Sequence, residues 1–195
     1  GVQTCALPIS SPPCGGWPLM DTRPLRARLA HRAAVEIGTK EIAGLNNTGP
    51  DVAHYQTATW LAPGRWPWCA AFVAWCVREW LSDAEVALCV VPTGQTPEGW
   101  RCKDASAFGW EVWAKKWGLP VLPETALARI GDIVVYDFSH IGICSHDMHP
   151  GDSHILTIEG NTQGAHGAVR DGVGDGVWRR ERPVGLIHRI IRLTA

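Results

Sequence analysis

"GRWPWCAAFVAWC" occupies residues 64–76, and within a few positions it passes from a loop containing glycine and proline to a nearly uninterrupted apolar run. From residue 69 to residue 80, Ala70, Ala71, Phe72, Val73, Trp75, Cys76, Val77 and Trp80 leave Arg78 and Glu79 as the only charged residues. A helix that is apolar on every side belongs in the middle of a domain, so this segment is expected to be the central helix of the fold. Pro67 suits a first helical turn, because it has no N–H to leave unpaired and its φ is already helical. Cys69 would then stand in that turn. There the free backbone N–H groups and the partial positive charge of the helix end favour a negatively charged sulfur and can hold an oxyanion. The plainer alternative is a small cysteine packed in a core, and residue 69 alone does not decide between the two.

Working outward, Leu25, Leu29, Ala33 and Ile37 recur every four residues between arginines, which predicts an amphipathic helix over 24–38 that Gly38 ends. "GLNNTGPDV" at 44–52 reads as a loop. Residues 82–103 carry mixed signals and several turn formers, and are expected to be a long connection. A third helix is expected over 105–117, where Trp110, Trp113 and Trp117 form a stripe best explained as core packing. Beyond Pro123 the period becomes that of strands. "DIVVYDF", "HIGICS", "HILTIEGN", "GVWRR" and "GLIHRIIRL" are rich in Val and Ile and are separated by turn formers. Helices first and strands afterwards predict an α+β domain, with N-terminal helices packed on a C-terminal antiparallel sheet.

The chain of 195 residues suffices for one domain with a sizeable core, expected over 21–195. Residues 1–20 carry no charged side chain, and "GVQTCALPIS" resembles a translated sequencing adapter. They are expected to be a disordered or artefactual tail, with Met20 as the genuine start. No basic start with an apolar run marks a signal peptide, and no stretch is long enough for a membrane span, so stable membrane association is not expected. Localisation stays open, with synthesis in the cytoplasm and action after release or export. Eighteen basic and nineteen acidic residues leave a formal charge of −1, which supplies no field for nucleic acid. Of seven cysteines, Cys69, Cys76, Cys89, Cys102 and Cys144 lie within the expected domain. Their odd number and spacing indicate neither a zinc ribbon nor a disulfide scaffold. On a helix Cys69 and Cys76 would stand roughly 10 Å apart along the axis, so they are separate thiols.

A cysteine nucleophile needs a base and a group to orient that base. His140 opens "HIGICS" directly after the turn-like Asp137-Phe138-Ser139, which puts it at the mouth of a strand. In "ILTIEGN" the two-residue period sets Thr157, Glu159 and Asn161 on one face, so a neighbouring strand can bring Glu159 or Asn161 against the imidazole. Two other constellations are weaker. His140, His146, His149 and His154 crowd into fifteen residues with Asp147 and Asp152, and solvated loop histidines are a simpler reading of the group than a zinc site. "DGVGDG" at 171–176 lacks the acidic residue that would close a calcium loop, and reads as a hairpin turn.

Taken in order, "GLNNTGPDV", "PWCAAFVAWC", "GDIVVY", "HIGI", "TIEGN" and "DGVWRRER" closely resemble the CHAP family, the cysteine- and histidine-dependent amidohydrolases and peptidases, over about residues 39–191. The resemblance implies a papain-like fold, Cys69 as nucleophile, His140 as base, Glu159 as the group that orients it and Asn161 as a supporting polar residue. Trp66 and Trp68, which flank the nucleophile, are the candidate substrate-binding residues. Family members mostly hydrolyse peptidoglycan, at the amide joining muramic acid to the stem peptide or within the peptide bridges, as endolysins, autolysins or effectors. On that basis the expected partner is peptidoglycan, the expected state a monomer, and no metal or cofactor is required. Two rivals remain: the same machinery acting on a small conjugate amide such as glutathionylspermidine, and a non-catalytic wall-binding module.

Overall fold

The computed structural model describes residues 23–164 and 174–194 of the chain. The expectation for residues 1–20 falls outside them, as does the first half of the loop "DGVGDG". Among the described residues six α-helices precede a six-stranded sheet: α1 (Arg23–Ala34), α2 (Pro50–Gln56), α3 (Cys69–Trp80), α4 (Ala84–Val90), α5 (Pro97–Trp100) and α6 (Gly109–Lys116). The strands are β1 (Val121–Leu122), β2 (Ile133–Tyr136), β3 (His140–Cys144), β4 (His154–Thr162), β5 (Gly176–Pro183) and β6 (Ile187–Ile191). They pair antiparallel in the order β1-β6-β2-β3-β4-β5. The molecule is thus α+β, with its helices before its sheet. No described helix is long and apolar enough to cross a membrane.

The apolar run at 69–80 forms α3, and ten of its twelve residues are buried. It packs against α1 and α2 on one side and against β3 and β4 on the other. Ala70, Ala71 and Ala74 keep its surface low, while Phe72, Val73 and Val77 join Ile133, Val135, Ile141, Ile143 and Ile158 in the main core. The opposite face of the sheet has its own smaller core, with Val134, Tyr136, Cys144, Ile155, Ile187 and Ile190. Because both faces are covered, β2 and β3 are buried along their whole length and show no apolar–polar alternation.

Several boundaries differ from the sequence expectation. The first helix ends at Ala34, and residues 35–38 turn so that the Gly38 N–H donates to the Val177 carbonyl on β5. The loop at 44–52 is shorter than expected, because Pro50 starts α2 with Pro at the position where a missing N–H costs nothing. The supposed long connection over 82–103 contains α4 and α5. Asp83 caps the first by accepting from the Glu85 N–H, and Thr96 caps the second by accepting from the Gly99 N–H, one residue before which Glu98 follows Pro97. Helices of seven and four residues are too short to show a period. The third predicted helix is trimmed to α6, with Trp110 buried and Trp113 donating its indole N–H to the Trp100 carbonyl at 2.7 Å.

Gly160 lies inside β4 where α3 crosses the strand. A Cβ there would stand 2.6 Å from Phe72 Cβ and 2.7 Å from Trp68 Cζ3, so only glycine allows the helix this close. Gly160→Ala is expected to push the start of α3 off the sheet and to lower stability by about 2 kcal/mol. Thermal unfolding would measure it, and an unchanged melting temperature would show that the contact can relax without cost.

Candidate active site

Cys69 is the first residue of α3 and Trp68 is its N-cap, with the Phe72 N–H donating to the Trp68 carbonyl at 2.9 Å. Pro67 therefore lies just before the cap and not in the first turn as expected. The N–H groups of Cys69, Ala70 and Ala71 have no acceptor within the helix, a consequence of its geometry. Three devices hold this start in place. The indole N–H of Trp68 donates to Glu41 Oε1 at 2.7 Å, and its ring stacks on Tyr55 at 5.7 Å. The Asn161 carboxamide, with its oxygen towards the helix, accepts from the Trp68 backbone N–H at 3.2 Å and donates to the Gly174 carbonyl at 3.2 Å. Buried Gln56 binds the incoming loop, accepting from the Gly64 N–H at 2.9 Å and donating to the Gly64 and Trp66 carbonyls.

His140 opens β3 after the three-residue turn Asp137–Ser139, in which Ser139 has a φ of 60°. Its ring is fully buried and stacks on Phe138 at 5.7 Å, with the planes 10° apart. Nε2 lies 2.9 Å from Glu159 Oε2. An ionised carboxylate can only accept, so Nε2 carries the proton and Nδ1 is the nitrogen left for another partner. Among the described residues Nδ1 has no well-formed hydrogen bond. Cys69 is close enough to act on the ring both by charge and as a hydrogen-bonding group. With Nε2 engaged by Glu159, Nδ1 is the ring atom available to the sulfur.

Glu159 is held from several sides. Its Oε1 accepts from the Thr157 hydroxyl at 2.6 Å and from Arg182 Nε at 3.2 Å, and its Oε2 accepts from Arg182 Nη2 at 2.6 Å. Because the Thr157 hydroxyl donates to Glu159, its oxygen is left to accept from the Tyr136 hydroxyl at 2.9 Å. The carboxylate fits because residue 142 on β3 is glycine: a Cβ there would stand 2.6 Å from Glu159 Cγ. Burial works against the charge on Glu159, but His140 and Arg182 outweigh it and hold the carboxyl down at about 2. Burial likewise opposes a charged His140, yet Glu159 and then Cys69 raise the imidazole to about 9.

Cys69 is 5% exposed and lines an open cleft of about 660 Å³ with Trp60, Leu61, Trp66, Asp104 and Phe138. The cleft wall is mainly apolar and aromatic, and Trp60 is 65% exposed on it. Trp66 is therefore placed where a ligand can touch it. Trp68 is not: it is fully buried, and the expectation that it binds substrate is replaced by a bracing role beneath Cys69. Asn161 also departs from expectation, since it contacts Trp68 and not the imidazole. The strand period is broken by a register shift between Glu159 and Thr162, and Asn161 takes a φ of 54°, which turns its side chain towards α3.

Cys76, Cys102 and Cys144 are free thiols, and burial pushes Cys102 and Cys144 up to about 12 and Cys76 well above the usual range. Among the described residues no group of three or more His, Cys, Asp or Glu is placed to hold a metal ion. His146 and His154 instead pair with Ser145 and Ser153, and the His149 N–H donates to Asp152. Sequence reasoning passed over Arg182, Thr157 as a ligand of Glu159, Gln56 and the two strand glycines. The available signals were a Gly within each of two strand patterns and an Arg within a strand whose neighbours are buried. Comparisons with protein-family models, with curated proteins and with solved structures found no match to the chain.

Proposed function

We propose that this chain is a cysteine-dependent amidohydrolase or peptidase of the CHAP type, with a papain-like arrangement, that hydrolyses amide bonds of bacterial peptidoglycan. The observation that carries the reading is the pairing of Cys69, at the start of a buried helix, with an imidazole whose far nitrogen is held by a buried carboxylate. Such a histidine has one fixed tautomer and one nitrogen free to exchange protons with the sulfur. The cleft beside it supplies an apolar wall against which a peptide stem or sugar can lie.

In the mechanism, Cys69 passes its proton to His140 Nδ1, and the sulfur attacks the amide carbonyl carbon. The oxygen of the tetrahedral intermediate takes the negative charge and is held by the Cys69 N–H and a neighbouring donor of the first turn. The C–N bond then breaks as His140 Nδ1 gives its proton to the departing amine, leaving a thioester on Cys69. Water follows, its proton going to Nδ1 and its oxygen to the carbonyl carbon. The C–S bond breaks, and the acid leaves with the site restored. Glu159 accepts from Nε2 throughout and stabilises each charged form of the ring.

Digestion of purified peptidoglycan of several chemotypes by the wild type and by Cys69→Ala, with mass spectrometry of the soluble products, tests this. Fragments that depend on Cys69 are expected. A free N-terminal alanine of the stem would identify the muramoyl amide as the bond cut, and new termini within the bridge an endopeptidase. Silence on every chemotype while Cys69 still alkylates faster than the other thiols would redirect the same chemistry to another amide. Silence with slow alkylation would replace catalysis by a binding role.

A further inference from the structure

Glu159 receives more than a hydrogen bond from the histidine. Arg182, on β5, is fully buried, and its Nη2 shares with His140 Nε2 the one oxygen Oε2, at 2.6 and 2.9 Å. Its Nε reaches Oε1, its guanidinium carbon lies 5.4 Å from the centre of the Phe138 ring, and Phe138 in turn stacks on the imidazole. We infer that Arg182 is a positioning and charge-balancing residue for His140, fixing the Glu159 carboxylate and making it possible for the buried histidine–glutamate pair to release its proton. The inference rests on the reading of His140 as both acid and base.

A histidine and a glutamate buried together would hold their one proton firmly, because its loss leaves a bare carboxylate in a medium of low dielectric. That is unsuitable for a group that must give a proton to an amine and take one from water in each cycle. Arg182 removes the difficulty, since a guanidinium stays charged and still compensates Glu159 once the imidazole is neutral. Among the described residues the groups facing this pair are Cys69 from α3, Tyr136 from β2, Thr157 from β4 and Arg182 from β5. Of these Arg182 is the permanent cation. Its fork geometry adds orientation: with Nε on one carboxylate oxygen and Nη2 on the other, the carboxylate cannot rotate away from Nε2.

The test is an NMR titration of the His140 ring in the full chain, its resonance identified by its loss in His140→Asn. No substrate is used, so the titration reads the same whether or not peptidoglycan proves to be cut. The wild type is expected to release the proton near 9. Arg182→Met should move release upward by about one pH unit or more, whereas Glu159→Gln should move it down towards or below the ordinary histidine range. Arg182→Lys keeps the charge and should restore a titration near that of the wild type. If Arg182→Met fails to fold, the pair Glu159→Gln and Glu159→Gln/Arg182→Met decides: the double variant, relieved of the guanidinium charge, should titrate above the single one. A merely structural Arg182 would lower stability and leave the titrations alone. Coincidence of Arg182→Met with the wild type, or of the double variant with Glu159→Gln, overturns the inference.

Discussion

His140→Ala is expected to reduce amide hydrolysis by a factor of about 10⁴ while the chain stays folded. On the proposed function the activity falls because the ring would supply three services: taking the proton from Cys69, returning it to the leaving amine and activating water. The fold survives because the deletion exposes no charge. Glu159 keeps its contacts with Arg182 and Thr157, and Nδ1 contributes no internal hydrogen bond that would be lost. What disappears is the Nε2 hydrogen bond to Glu159, the stack on Phe138 and the packing of a buried ring, with a cost on the order of 3 kcal/mol. Turnover on peptidoglycan together with a thermal melt measures both. Turnover within tenfold of the wild type would remove His140 from the chemistry.

Glu159→Gln should show the opposite balance, with the larger effect on stability. The substitution keeps the shape of the side chain but leaves the Arg182 guanidinium buried without its carboxylate, which costs about 3 kcal/mol, or about 10 °C in melting temperature for a chain of this size. The sign of the pH dependence follows from the two shifts. Glu159 is depressed from 4.5 to about 2, so its share of stability is present above 4.5 and is lost as pH falls through about 2. His140 is raised from 6.5 to about 9, so its share is present below 6.5 and is lost as pH rises through about 9. The gap in melting temperature between wild type and variant should therefore be widest between pH 4.5 and 6.5 and should narrow towards pH 9, without closing, because the buried guanidinium still lacks the Glu159 carboxylate. A gap that does not vary over this range would mean that the two groups are not coupled as their contact implies.

The variants also separate what each level of structure contributes. The helical apolar run at 69–80, the change to strand period after Pro123 and the order of helices before strands depend on neighbours a few positions apart, and all were legible in the sequence. The same holds for Cys69 at a helix start and for His140 at a strand mouth, because both places are defined by local turns and caps. The contact between His140 and Glu159 was legible only as one of two choices. A strict strand period presents Glu159 and Asn161 alike, and the register shift that parts them arises where β4 meets β5 and α3.

Residues 82–103 were misread because two short helices capped by Asp83 and Thr96 carry too few turns for a period, and a cap looks like a turn until its helix is seen. Trp68 was misread because a tryptophan beside a nucleophile serves a cleft or a core equally well, and only the packing of Tyr55, Glu41 and Gly160 around it decides.

By itself, then, the sequence determined the kinds of element, their order and the cysteine and histidine with which any chemistry here would begin. The tertiary structure alone decided the strand order, the burial of Trp68 and the pairing of Glu159 with Arg182. The physical reason is one of range. Periodicity and capping act within a turn or two of chain. The stability of a buried charge depends on a partner that lies 23 residues away in sequence and on the next strand in space.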